Sequence, residues 1–157
     1  MKNLYSHFKE YSNLWSKQNN FILMGASKEC AQLLSNITKT WSQSSKFNVK
    51  YIIDDHSKYN IIQDIYEIHE KTFEHYDNRK PKLKEKIEVL KIEQGLKNLK
   101  HKIIITSESK YNDYKKILED KKLKEDIDFT SYKKFSTLVT LFLENKLNLW
   151  RSDILLT

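Results

Sequence analysis

Apolar residues recur along the chain first at helical spacing and then in short continuous runs. Leu4, Phe8, Tyr11 and Trp15 lie four, three and four residues apart, which predicts an amphipathic leading helix within residues 1–20. Asn19-Asn20 breaks that pattern. Phe21 to Met24 is then apolar at every position, as expected of a strand buried on both faces in a parallel sheet. Gly25 and two small residues follow. Ser27 is a suitable N-cap for a helix carrying Cys30, Leu33, Leu34, Ile37 and Trp41. The polar stretch SQSSK ends that helix, and NVKYIIDD is the next strand. In that strand Val49, Tyr51 and Ile53 alternate, Ile52 fills the opposite face, and Asp54-Asp55 terminates the run. Residues 21–55 therefore read as strand, tight turn, helix, strand, for which a right-handed crossover is the default.

The middle of the chain is less regular. Ile61, Ile65 and Ile68 have helical spacing, and residues 56–86 read as an insertion-like segment with a loop around Pro81. Ile87 to Val89 forms a short strand, and IEQGLKNLK a short helix weakened by Gly95. KIIITSES is the third strong strand, with Ile103 to Ile105 continuous and Thr106-Ser107-Glu108-Ser109 as a polar turn. Tyr111, Tyr114, Ile117 and Leu118 mark a helix, and DFTSY a short extended piece. Phe135, Leu138, Val139, Phe142 and Leu143 mark a last helix, and residues 147–157 a C-terminal strand or linker. The expectation is one α/β domain over 1–157, with a mostly parallel sheet of about 4–5 strands.

Composition narrows the function classes. The net charge is +7, from 28 Lys and Arg against 21 Asp and Glu. Most lysines alternate with acids, as in KKILEDKKLKED, so the charge reads as solvated faces rather than a nucleic-acid footprint. The abundance of Lys, Asn, Ile and Tyr also matches the codon bias of an AT-rich genome. No apolar run approaches the ~18 residues of a membrane span. The opening stretch has no signal-peptide core, so a cytoplasmic protein is expected. Cys30 is the single cysteine, which excludes an internal disulfide and a cysteine metal cluster and reads as a packed thiol. His69 and His75 lack zinc-binding spacing, and no metal site is expected. His56 reads as a surface histidine beside the paired acids.

In an open parallel sheet, ligands bind beyond the carboxyl ends of the strands. Three turns qualify. Gly25-Ala26-Ser27-Lys28 presents backbone N–H groups and a helix start to phosphate. Asp54-Asp55 offers acceptors to a ribose diol. Ser107, in the third turn, flanks a base or sugar. The candidate site is therefore Gly25, Ala26, Ser27, Lys28, Asp54, Asp55 and Ser107, with no catalytic residue assigned. No P-loop and no Gly-x-Ser-x-Gly elbow occurs.

FILMGASKECAQLL, YIIDD and KIIITSESKYNDYKKIL together resemble Rossmann-like domains that carry an Ile-Gly-Ala-Gly turn, an Asp-Asn strand end and an Ile-Ile-Ile-Ala-Ser strand. Such domains accompany enzymes of surface-sugar and nucleotide-sugar modification. The resemblance covers roughly residues 15–125 and implies a three-layer α/β/α domain with a nucleotide or nucleotide-sugar site at Gly25, Ala26, Ser27 and Asp54. The full G-x-G-x-x-G fingerprint would place glycines where Ser27 and Cys30 stand. LWRSDILLT, at the C-terminus, resembles the strand before the cysteine motif of radical S-adenosylmethionine enzymes. That resemblance implies an N-terminal accessory domain serving a linked or separate catalytic domain. The leading expectation is a non-catalytic ligand-binding or docking domain. The alternatives are a small nucleotide-cofactor-dependent enzyme (oxidoreductase, epimerase or transferase) and a pure protein-interaction module.

Overall fold

Strands that read as apolar at every position need apolar partners on both faces, and two clusters of buried residues supply them. The computed structural model describes residues 4–40, 48–69 and 82–139. Its helices are α1 (Leu4–Trp15), α2 (Lys28–Thr40), α3 (Ile92–Gly95) and α4 (Tyr111–Asp120), followed by a helical stretch at 132–139, α5. The strands are β1 (Asn20–Met24), β2 (Asn48–Ile53), β3 (Ile61–Asp64), β4 (Lys82–Leu90), β5 (Lys102–Ile105) and β6 (Phe129–Ser131). They form one six-stranded sheet in the order β3-β4-β2-β1-β5-β6. Every neighbouring pair is parallel except β3 and β4, which run antiparallel. The chain is thus an α/β domain with a mostly parallel sheet, and the described sheet has one strand more than the upper bound expected from sequence.

Alternation sorts the strand side chains. Phe21, Leu23 and Ile104 pack with Tyr11, Trp15, Cys30, Ala31, Leu34, Phe135 and Leu138 from α1, α2 and α5. Ile22, Met24, Ile103 and Ile105 pack with Leu96, Tyr114 and Leu118 from the other side. β1 and β5 serve both clusters, which is why neither carries a polar interior position.

β2 corrects one expectation. Phe21 pairs with Val49, but Ile22 pairs with Tyr51, so Lys50 is an extra residue in β2. Such a bulge moves the preceding side chain to the opposite face. Val49 accordingly packs with Leu23 and Ile52, while Tyr51 and Ile53 belong to the other cluster. The simple Val49, Tyr51, Ile53 alternation does not hold.

The segment expected as an insertion joins the sheet. Ile61–Asp64 is a strand, followed by a 3-10 turn at Ile65–Glu67, rather than one helix. Asp64 and Glu67 form a capping box: Asp64 Oδ1 accepts from Tyr66 N at 3.1 Å, and Glu67 Oε1 accepts from Asp64 N at 3.0 Å. The box stops the strand and swings Ile65 into the core beside Ile62, while Ile61 stays half exposed. The helical spacing of the isoleucines arises from this change of conformation.

Gly95 is required where it stands. A Cβ there would lie 2.6 Å from Ile53 Cγ1, and Tyr51 OH donates to the Gly95 carbonyl at 2.7 Å. The loop around Pro81, the end of the α2 helix at Trp41 and SQSSK, the positions of Phe142 and Leu143, and residues 147–157 lie outside the described residues. Among the described residues no helix is long and apolar enough to cross a membrane.

Candidate functional site

The turns after β1, β2 and β5 converge at the carboxyl edge, where β1 lies between β2 and β5 and the strand order reverses. Gly25 leaves β1 with φ +113°, a conformation that side chains rarely adopt. A Cβ on Gly25 would meet Ser107 Cβ at 2.7 Å. Its N–H donates to the Ile53 carbonyl at 2.8 Å, and its carbonyl accepts from Thr106 Oγ1 at 2.7 Å. The close approach of the β1 and β5 turns therefore accounts for this glycine.

Asp54 ties the second turn to the first. Its Oδ2 accepts from Ala26 N at 2.7 Å and its Oδ1 from His56 N at 2.6 Å. Asp55 Oδ1 accepts from Ile92 N at 2.8 Å and so fixes the start of α3. Asp54 is thus brought together with the Gly25-Ala26 turn and Asp55 with the start of α3, and each already holds at least one backbone N–H.

Ser27 departs from the simple N-cap. Its carbonyl accepts from Ala31 N at 3.1 Å, as the residue before a helix should. Its hydroxyl lies within donating distance of Glu29 Oε2 (2.8 Å) and of the Thr106 carbonyl. Ser27 therefore links α2 to the end of β5. Lys28 is exposed in the first turn of α2. Ser107 is buried against Gly25, with its hydroxyl 3.5 Å from that of Ser109.

Glu29 is the residue that sequence reasoning missed. Its Oε1 accepts from Glu108 N at 3.3 Å while Oε2 faces Ser27. A carboxylate in a first helical turn is favoured by the helix dipole, and that placement was the available signal. Glu29 and Asp54 thus place two carboxylates beside the turn that leads from β1 into α2.

The electrostatic effects match. Tyr114 is pushed up to about 12 by burial, with Asp54 and Asp55 adding to the shift. Burial likewise raises Tyr132, and Glu29 and Glu108 add to it. Acids thus reach the edge from α2 and from the turns after β2 and β5. Cys30 is fully buried and pushed up to about 12 by that burial, although its contact with Thr106 works the other way. The thiol is a packed group, not a nucleophile at neutral pH.

Among the described residues no group of three or more His, Cys, Asp or Glu is placed to hold a metal ion. No protein-family model, curated protein or solved structure matches this chain.

Proposed function

We propose that the carboxyl edge holds a hydroxyl-rich ligand of the nucleoside or nucleotide-sugar class without acting on it chemically, as a Rossmann-like domain accessory to a linked or separate catalytic domain. The observation that carries this reading is the convergence of Gly25, Asp54 and Ser107 at the point where the strand order reverses. Taken by themselves, the parallel strands follow the order of a doubly wound sheet. The packing of helices against both faces suits a three-layer α/β/α domain.

The carboxylates favour sugar hydroxyls over phosphate. An ionised carboxylate has about four acceptor positions, and Asp54 accepts one bond each from Ala26 N and His56 N. Acceptor capacity on Asp54 is left for a diol. A pyrophosphate seated at the start of α2 would meet Glu29 and Asp54, which is repulsive at short range, so in a nucleotide sugar the ribose diol and not the diphosphate is the part this edge holds.

Calorimetry with nucleosides, nucleoside diphosphates and nucleotide sugars tests the reading. Nucleosides are expected to bind at least as tightly as their diphosphates. Asp54→Ala is expected to weaken binding about tenfold, the cost of one charge-assisted hydrogen bond. Asp55→Ala serves as a second variant should Asp54→Ala lose its fold. No binding at millimolar concentration, or equal binding by both folded variants and the wild type, would reject the proposal.

A further inference from the structure

We propose a second ligand site at the opposite, amino edge of the sheet, built for a small phosphorylated molecule. A cavity of about 450 Å³ opens where β1 and β5 begin, within the size range of small-molecule sites. Lys17 and Asn20 reach it from the α1–β1 connection, and Lys100, His101 and Lys102 from the approach to β5. The lining holds three lysines and one carboxylate, Asp128. Asp128 offsets one of them, Lys102, and leaves Lys17 and Lys100 to set the sign of the hollow. Its Oδ2 accepts from Lys124 N at 2.8 Å within its own turn, and its Oδ1 is 4.0 Å from Lys102 Nζ. Lys17 and Lys100 are exposed, so their ammonium groups are able to swing onto a ligand.

The rest of the lining fits an organic phosphate better than a bare ion. Amides from Gln18, Asn19 and Asn20 suit hydroxyl groups. Leu99 and Leu123, both only partly buried, provide an apolar wall for a ring. Lysine is an established phosphate binder acting as a point charge. A nucleic-acid strand would call for a basic track across the surface, whereas these lysines converge on one bounded hollow. The two edges of the sheet therefore differ in sign: carboxylates gather at one, ammonium groups at the other. This site is independent of the one proposed at the carboxyl edge.

Amide chemical-shift mapping with inorganic pyrophosphate, and then with adenosine diphosphate, tests the proposal. Saturable shifts are expected at Asn19, Asn20, His101 and Lys102, weakening as salt is raised. The Lys17→Gln/Lys100→Gln double variant is expected to bind pyrophosphate about tenfold more weakly. Its thermal midpoint should be unchanged because both side chains are exposed. Lys100→Gln alone gives the same test if the double variant melts early. Absence of saturable shifts up to about 10 mM, or binding unchanged in the folded variants, would overturn the proposal. Shifts confined to Gly25, Ala26 and Ser27 would also overturn it, since they would put the phosphate at the other edge. A single-stranded oligonucleotide that binds more tightly than either probe and displaces it would overturn the small-molecule assignment.

Discussion

Gly25 combines a backbone conformation open to few residues with a Cβ position already taken by Ser107. Gly25→Ala should therefore cost about 3 kcal/mol, combining backbone strain with displacement of the β5 turn. Urea unfolding measures this, and a loss under 1 kcal/mol on the ~1–3 kcal/mol scale of such strain would show that the two turns yield easily. Cys30 makes a prediction about pH. Its thiol loses a proton near 9 when unfolded and near 12 when folded. Below the unfolded value both states keep the proton and the contribution to stability is full. Above it the unfolded state binds fewer protons, so stability falls as pH rises, by up to about 1.4 kcal/mol per pH unit from this group. Tyr114, raised in the same direction, adds to the fall. Unfolding free energy measured through the alkaline range should drop less steeply in Cys30→Ala than in the wild type. At this scale the sequence was legible for Gly25 and Asp54, whose residue types are demanding. It was less legible for Ser27, whose hydroxyl reaches Thr106 across 79 positions of chain.

Among the elements, α4 ends in a Schellman motif. Leu123 N donates to the Leu118 carbonyl at 3.1 Å and Lys122 N to that of Glu119 at 2.9 Å, with Lys122 at φ 66°. Glycine is the usual residue there. Lys122→Gly is expected to stabilise the protein by about 0.5–1 kcal/mol, read as a rise in the urea midpoint. An unchanged or lowered midpoint would mean that the lysine side chain contributes more than its backbone costs. The leading helix is held by Trp15, 1% exposed, stacked on Phe21 at 6.3 Å and donating through Nε1 to the Asp126 carbonyl at 2.9 Å. Trp15→Ala should cost about 3–5 kcal/mol. A cost near zero would show that α1 is not part of the cooperative core. The helical spacing of α1 and α4 and the apolar runs of β1 and β5 announced those elements directly. β3 did not, because four residues and a capping box cannot establish a period of their own.

At the scale of the molecule, β1 and β5 contribute to both core clusters, so losing the helices of either face strips packing from strands on which the other cluster is built. Unfolding in urea should therefore be a single transition, with tryptophan fluorescence and far-ultraviolet circular dichroism superimposing. Two separated transitions would mean that the faces fold independently. The contrast in charge between the two edges also belongs to this scale. It depends on Lys17 and Lys102 lining one hollow at the start of the sheet, and on Glu29, Asp54 and Glu108 lying near one another at its end.

Local pattern alone determined the α/β class, the doubly covered strands and the three turns from which a site would be built. Hydrophobic period and turn chemistry are properties of neighbouring residues, and burial on both faces leaves a mark at every position of a strand. Tertiary structure alone decided that Lys50 is a bulge, that Ile61–Asp64 is a strand, and that Glu29 and Asp54 fill the start of α2. It also decided that the cationic hollow lies at the amino edge. Each of these depends on strand register or on charges brought together from distant parts of the chain, and such pairings exist only once the sheet has formed.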